Sequence, residues 1–320
     1  MKVLLPAFLA ISFLASISLF VGAGSVSPGL LFGTSADDHA MRLLVVSRIP
    51  RTLAILLAGS SLAIAGLVMQ MIVRNRFVEP STTGTTEAAS LGFLVATILA
   101  PGASIIGKML VSAAFALAGT ALFLRILRAV PLRDAMLVPL VGIMLGGVTG
   151  ALATFLAYRF NLLPSLLAWT TGDFSGVLRG RYELLWLGLA ATGLAYWAAD
   201  RFTLAGMGRD VSVGLGLSHE ASMTLGLVLV SVIAAVCLVS VGAIPFLGLV
   251  VPNIVSLAVG DNMRRSVPLV ALGGAGLVLV CDLIGRLVRY PYEIPIGVVM
   301  GVLGSLIFLH LLLRARRRVA

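Results

Sequence analysis

Residues 47–73 read Ser-Arg-Ile-Pro-Arg-Thr-Leu-Ala-Ile-Leu-Leu-Ala-Gly-Ser-Ser-Leu-Ala-Ile-Ala-Gly-Leu-Val-Met-Gln-Met-Ile-Val. Two arginines, Arg48 and Arg51, stand at the start, and from Thr52 to Val73 no charge follows. An α-helix needs about 20 such residues to cross the hydrocarbon layer of a bilayer. Working outward, ten runs of this kind emerge, roughly 3–23, 52–73, 86–106, 109–128, 136–158, 184–199, 221–242, 246–260, 267–285 and 294–313. The eighth is short and contains Pro252, so a tilted, broken or partly spanning helix is expected there. No stretch resembles a linker or a separate soluble domain.

Composition agrees. Of 320 residues, 59% are hydrophobic and 11% charged, with a mean hydropathy of +1.10. A soluble domain is nearer half apolar and a quarter charged. The expectation is an all-α polytopic membrane protein of about ten transmembrane helices, forming one domain over residues 1–320. Lys2 followed by Val3–Ala23 fits either a signal peptide, with Val21–Ser25 as its cleavage region, or a first helix; the length of the apolar run favours an uncleaved helix. Cys237 and Cys281 lie inside apolar runs and read as packing residues, not as a disulfide. The net charge of +10 is dispersed among apolar spans, so it belongs to membrane orientation and not to a nucleic-acid partner.

Ten spans put both ends on one side, and Arg314, Arg316, Arg317 and Arg318 assign that side to the cytoplasm. The inner set is then Lys2, Arg74, Arg76, Arg125, Arg128, Arg133, Arg201, Arg209, Arg264, Arg265 and the four tail arginines, 14 of the 23 basic residues. The outer nine are Arg42, Arg48, Arg51, Lys108, Arg159, Arg179, Arg181, Arg286 and Arg289. The bias has the right direction but is modest, so the outer face carries more arginine than orientation requires.

Several chemistries lack their residues. No Gly-x-x-x-x-Gly-Lys-Ser/Thr loop, Gly-x-Ser-x-Gly or His-Glu-x-x-His occurs, and His39, His219 and His310 have no metal-ligand spacing. The chain is therefore expected to be no enzyme, with no metal site and no cofactor of its own. Among the acidic residues near spans, Glu87, Asp282 and Glu293 stand out. Asp282 precedes Arg286 by one helical turn, and a neutralised pair is preferred to a proton relay. Gly142, Gly146 and Gly150, and Gly297 with Gly301, repeat at a spacing that lets helices approach closely.

The longest inner loop with helical character, residues 201–220, mixes polar and apolar residues between Gly206, Gly208, Gly214 and Gly216. Two short helices joined by turns fit it. Composition leaves two uses open, an element that fits a groove on a partner protein or a loop resting on lipid. The outer arginines are equally open between a docking surface and snorkelling to headgroups. For Pro245 and Pro252, a mobile element and a static kink are both consistent.

The loop's Met207-Gly-Arg-Asp-Val-Ser-Val-Gly-Leu-Gly-Leu217 resembles the coupling-loop signature of FecCD-type, BtuC-like permeases. Four other segments resemble that family in order: Arg48-Ile-Pro-Arg-Thr52 with Gly66–Gln70; Arg74-Asn-Arg-Phe-Val-Glu-Pro80 with Gly84; Gly242-Ala-Ile-Pro-Phe-Leu-Gly-Leu-Val-Val-Pro252; and Asp282-Leu-Ile-Gly-Arg286 through Gly297. The resemblance implies the permease of an ATP-binding-cassette importer for ferric siderophores, haem or vitamin B12. Partners would be two cytoplasmic ATPases that use the ATP, a second permease, and a periplasmic or lipoprotein binding protein, all at a bacterial inner membrane.

By the same resemblance, Gly208, Arg209, Asp210, Leu215 and Gly216 meet the ATPase, and Arg48, Arg51 and Arg286 meet carboxylates of the binding protein. The family more often has a carboxylate at the position of Arg209. Asn253 and Ser256 replace its commoner His and Arg, as in the ferric-siderophore branch, where a heterodimer with a sister permease is favoured over a homodimer. Tyr158, Trp169, Asp173 and Phe174 are candidates for the substrate pathway, though Trp and Tyr also serve as interface anchors. The rival class is an ion-gradient-driven secondary transporter, which would need intramembrane carboxylates as coupling sites.

Overall fold

The computed structural model describes residues 4–22, 38–129, 137–179, 182–260 and 262–316. Lys2, Arg133, Arg181, Arg317, Arg318 and residues 23–25 of the considered cleavage region lie outside them. Among the described residues every regular element is helical. Ten helices fall one to one on the ten apolar runs. They are α1 (Leu4–Phe20), α3 (Ile49–Val73), α4 (Thr85–Leu99), α5 (Ile105–Ala129), α6 (Leu137–Arg159), α8 (Leu185–Trp197), α11 (His219–Val241), α12 (Leu247–Val259), α13 (Met263–Leu287) and α14 (Ile296–Arg316). The short helices α2 (Asp38–Leu43), α7 (Leu163–Thr170), α9 (Ala199–Gly206) and α10 (Arg209–Gly214) connect them.

Six segments are long and apolar enough to cross a membrane unaided: Met41–Val73, Ile105–Leu127, Leu137–Arg159, His219–Val241, Met263–Leu287 and Ile296–Leu313. Helices α1, α4 and α12 are apolar but shorter, and α8 has 13 residues. Among the described residues the fold is thus all-helical, with six helices of membrane length.

Helix α3 is the axis of the bundle. It packs against α8, α11, α12 and α13, and most of its side chains are buried. Its approach to two neighbours is a glycine matter. A Cβ on Gly66 would stand 2.0 Å from the Gly248 carbonyl oxygen of α12, and one on Gly274 of α13 would stand 2.3 Å from the Gly59 oxygen. Backbones meet here with no room for a side chain, as in close membrane helix packing.

The start of α3 explains the Ile-Pro step. Residues 38–73 are continuous helix, with a π-helical stretch Leu44–Arg48 ahead of Pro50. Proline has no N–H to give to the carbonyl four residues back. That carbonyl, Val46, accepts instead from the Arg179 N–H at 3.1 Å.

The stripe Gly142, Gly146 and Gly150 of α6 receives the turn Thr82–Gly84 and the Glu87 side chain, which is the packing role expected of it. The segment Arg74–Gly84 does not run along the end of the bundle. It turns back inside, so that the Glu79 carboxylate reaches Gly248, opposite Leu62 and Gly66 in the middle of α3. Helix α12 begins at that level and has only 13 residues, which accounts for the short eighth run.

Contacts define two ends. The end of α1, the start of α3 and the end of α13 meet at an arginine end. The end of α3, helices α9 and α10 and the start of α13 meet at a loop end, where the Met263 N–H donates to Thr203 Oγ1 at 3.2 Å. Replacing Gly66 by Val is expected to destabilise the fold by about 1–3 kcal/mol through overpacking. Gly193, whose Cβ would meet open space, should accept Ala without loss. Thermal unfolding of the detergent-solubilised protein checks both.

Candidate functional site

At the arginine end, Asp282 is wholly buried and joins two guanidinium groups. Arg51 donates to its Oδ1 from Nε at 3.1 Å and from Nη2 at 2.7 Å. Arg286, one turn along α13, pairs with its Oδ2. The third donor of Arg51, Nη1, reaches Glu293 Oε2 at 2.6 Å. Glu293 lies in the connection between α13 and α14, with a quarter of its side chain exposed.

Arg286 also closes the end of α1. Its Nη1 donates to the Ser18 and Val21 carbonyls at 3.0 and 2.7 Å, and its Nη2 to Ser18 Oγ at 2.7 Å. Arg48 donates to the same Val21 carbonyl. The last carbonyls of a helix have no partner within it and carry its negative dipole end, so cations are favoured there. Three guanidinium groups therefore face two carboxylates and a helix C-terminus.

The expected trio of Arg48, Arg51 and Arg286 is brought together, across more than 230 residues of chain. The expectation that they form a presented surface needs correction. They are 6%, 8% and 2% exposed. A charge this removed from water has to be paired, and the partners come from within the chain. Asp282 and Arg286 do form the neutralised pair read from their spacing. Glu293, noted in the sequence only as an acidic residue near a span, is the member whose role was missed. Nothing in its neighbourhood in sequence points to Arg51.

At the loop end, α9 and α10 are the two short helices expected in residues 201–220. The chain turns between them at Gly208, whose φ of 115° only glycine adopts easily. Ser212 fixes the turn by donating to the Gly208 carbonyl at 2.9 Å, and it lies 3.0 Å from His219 Nδ1. Arg74, at the end of α3, packs its guanidinium against Gly208. Of the five residues expected to meet an ATPase, Arg209, Asp210, Leu215 and Gly216 are exposed and Gly208 is buried. Met207, Val213 and Leu215 are 56%, 56% and 62% exposed, so an apolar knob stands on this end. Arg209 and Glu220 are 3.8 Å apart and largely solvated, a pair worth little.

Between the ends lies a cavity of about 340 Å³. Glu79, Glu87, Thr171, Gly172, Gly242 and Pro245 are among its lining residues. Glu79 Oε1 accepts from the Phe246 N–H at 2.9 Å, which caps the start of α12. Pro245 stands at this junction, and Pro252 lies inside α12. Glu79 was quoted in the sequence only as part of a motif; its cap on a helix far along the chain carries no local signal.

The pathway candidates separate. Trp169 and Asp173 line a second cavity of about 410 Å³. Trp169 stacks edge-on to Phe93 at 4.8 Å, and Asp173 accepts from the Ser175 N–H at 2.8 Å. Phe174 is wholly buried in the core and so is a packing residue, and Tyr158 is 73% exposed near the end of α6. Asn253 ties α12 to the returning segment, donating to the Arg76 carbonyl at 2.8 Å and to the Leu249 carbonyl at 2.7 Å. Ser256 lines a cleft at the loop end with Arg74 and Asn262. Among the described residues no cluster of His, Cys, Asp or Glu is arranged to hold a metal ion.

Comparison with known proteins gives a consistent set. The model of the FecCD transport family matches residues 8–314. The petrobactin import system permease YclN of Bacillus subtilis (strain 168) is 46% identical over 309 residues, 97% of each chain. The ferric-anguibactin transport system permease FatD of Vibrio anguillarum (strain ATCC 68554 / 775) is 43% identical, covering 97% of this chain and 98% of its own. A solved metal-chelate type ABC transporter in an inward-facing conformation superposes with a TM-score of 0.82 at 26% identity, covering 98% of this chain and 99% of its own.

Asp282→Asn removes the charge that neutralises two buried cations, and a loss of about 3–5 kcal/mol of stability is expected. Glu293→Gln keeps an oxygen that can accept from Arg51 Nη1 at a partly exposed site, so it should cost less, about 1 kcal/mol. Thermal unfolding of the two purified variants tests that order.

Proposed function

The chain belongs to the FecCD transport family, and from that premise we propose that it is the membrane permease of an ATP-binding-cassette importer for a ferric siderophore. It is a transport subunit and not an enzyme. The observation that carries the substrate class is the end-to-end similarity to permeases for petrobactin and ferric anguibactin. Asn253 and Ser256, in place of the commoner His and Arg, agree with it.

In this reading the ten apolar helices are ten spans, both termini are cytoplasmic, and the membrane is the bacterial inner membrane. Two ATPase subunits bind at the loop end, a sister permease completes the pathway, and a binding protein delivers the chelate at the arginine end. Support for the two ends comes from their chemistry. The loop end offers exposed apolar side chains on a turn fixed by Gly208 and Ser212, suited to a groove in a partner. The arginine end also exposes Arg42 and Arg289, suited to an acidic partner. Helix α3 joins the two, spanning about 37 Å from Ile49 to Val73.

Within this mechanism the chain binds, aligns and moves. ATP binding by the partners shifts the equilibrium between inward and outward access only as far as it favours one state. The knob around Met207, Val213 and Leu215 is where that preference enters. Haem and corrinoid chelates are the alternative cargo.

The cavity carboxylates Glu79 and Glu87 are the one observation that favours an ion-driven carrier. Glu79, however, is engaged as the cap of α12. Uptake of a radiolabelled ferric siderophore should persist when a protonophore is added and ATP is maintained. Collapse of uptake under those conditions selects the ion-driven reading. Val213→Asp with Leu215→Asp should lower transport and transport-linked ATP hydrolysis about tenfold or more by removing apolar contacts, while binding-protein docking is retained. Docking and ATPase assays on the reconstituted complex read the two apart.

A further inference from the structure

Arg51 holds its two carboxylates in different ways. Asp282 is fully buried and takes two of its donors. Glu293 takes the remaining Nη1, is a quarter exposed, and sits between Pro291 and Pro295 in the connection from α13 to α14. The neighbouring side chains face outward. Tyr290 and Tyr292 are 65% and 70% exposed, and the Arg289 guanidinium lies 5.7 Å from the Tyr292 ring. Tyrosine and arginine are the residue types that dominate protein contact energies. The same end exposes Arg42 and Arg179, the latter tied to Val46.

We infer that Glu293 is an internal stand-in for a carboxylate of the substrate-binding protein, which replaces it on Arg51 Nη1 when that protein docks on the Arg289–Tyr292 surface. The inference rests on the permease reading above. Its physical basis is the cost of an unpaired buried cation. If Glu293 were absent, the Nη1 side of Arg51 would stand unsatisfied in the free permease. If Glu293 were as buried as Asp282, no partner would reach it. An exchange of one carboxylate for another keeps Arg51 paired throughout, and the charge at the centre of the cluster does not change. Exposed arginines around the site attract the acidic partner, and the aromatic side chains supply contact area.

The exchange also has a place to act. Glu293 lies just ahead of Ile294, whose N–H donates to the Gly285 carbonyl at 3.0 Å. Beyond it the Gly297 N–H donates to Gly172, beside the central cavity, at 2.8 Å. A Glu293 released from Arg51 frees the segment that starts α14.

The test is docking of the binding protein encoded with the permease, measured by surface plasmon resonance on the nanodisc-held transporter across ionic strength. Glu293→Gln removes the charge of the internal competitor and leaves a weaker one, so docking should tighten about three- to fivefold, the scale of one partly exposed ion pair. Arg51→Gln and Arg289→Glu should weaken it. Weakened or unchanged docking in Glu293→Gln, with Arg51→Gln still weakening it, overturns the exchange and leaves the docking face standing. Unchanged docking in both arginine variants removes the docking face itself.

A second measurement leaves Glu293 in place. A spin label at Tyr292→Cys should change its mobility when the binding protein is added. A complex that forms with no such change overturns the exchange.

Discussion

A carboxylate with no access to water, Asp282, sits between Arg51 at the start of α3 and Arg286 at the end of α13. Much of the arginine end follows from it. An isolated ion is not tolerated in an apolar interior, so the two guanidinium groups and the carboxylate must come together for any of them to be buried. Arg286 has donors to spare after meeting Asp282, and these close the last carbonyls of α1. Three helices distant in sequence are thus registered at one end by hydrogen bonds to one acid and its partners. Directional bonds of this kind set rotation and depth, which apolar packing alone leaves loose in a lipid surround.

From that fixed end α3 runs the length of the bundle, and its contacts are of a kind that transmits position. Gly59 and Gly66 press backbone against backbone on α13 and α12, where no side chain can yield. At its far end Arg74 leans on Gly208, the turn between α9 and α10. Halfway along, the returning segment brings Glu79 to cap α12 beside the central cavity. The cavity thus lies beside a helix whose closest approaches to α12 and α13 are backbone to backbone.

The helices were legible because an apolar helix of this length leaves a long, uninterrupted record. Each of the ten apolar runs falls on a helix, with ends that differ by a few residues, and the shortness of α12 showed in the short eighth run with Pro252. The pair Asp282–Arg286 was legible too, since one helical turn separates them. What the sequence did not disclose is contact between distant segments. Glu293 and Arg51 are 242 residues apart, and Glu79 and Phe246 are 167 apart. No periodicity links such positions. Phe174 illustrates the same limit: an aromatic after a short helix reads as a cavity residue until its neighbours are known, and the packed core then claims it.

The modest difference between inner and outer arginine counts takes on a different meaning once the pairs are in view. A positive charge resists translocation as a free charge, and the orientation rule counts residues as though each acted alone. Three of the nine residues that the sequence assigns to the outer side, Arg48, Arg51 and Arg286, are instead folded into the protein against Asp282, Glu293 and the end of α1. In the finished structure they contribute little free charge to that face. Arg42 and Arg289, by contrast, remain exposed at that end. The arginines of this end are therefore two features superposed: a buried clamp that holds the helices in register, and exposed residues whose charge stays in solvent.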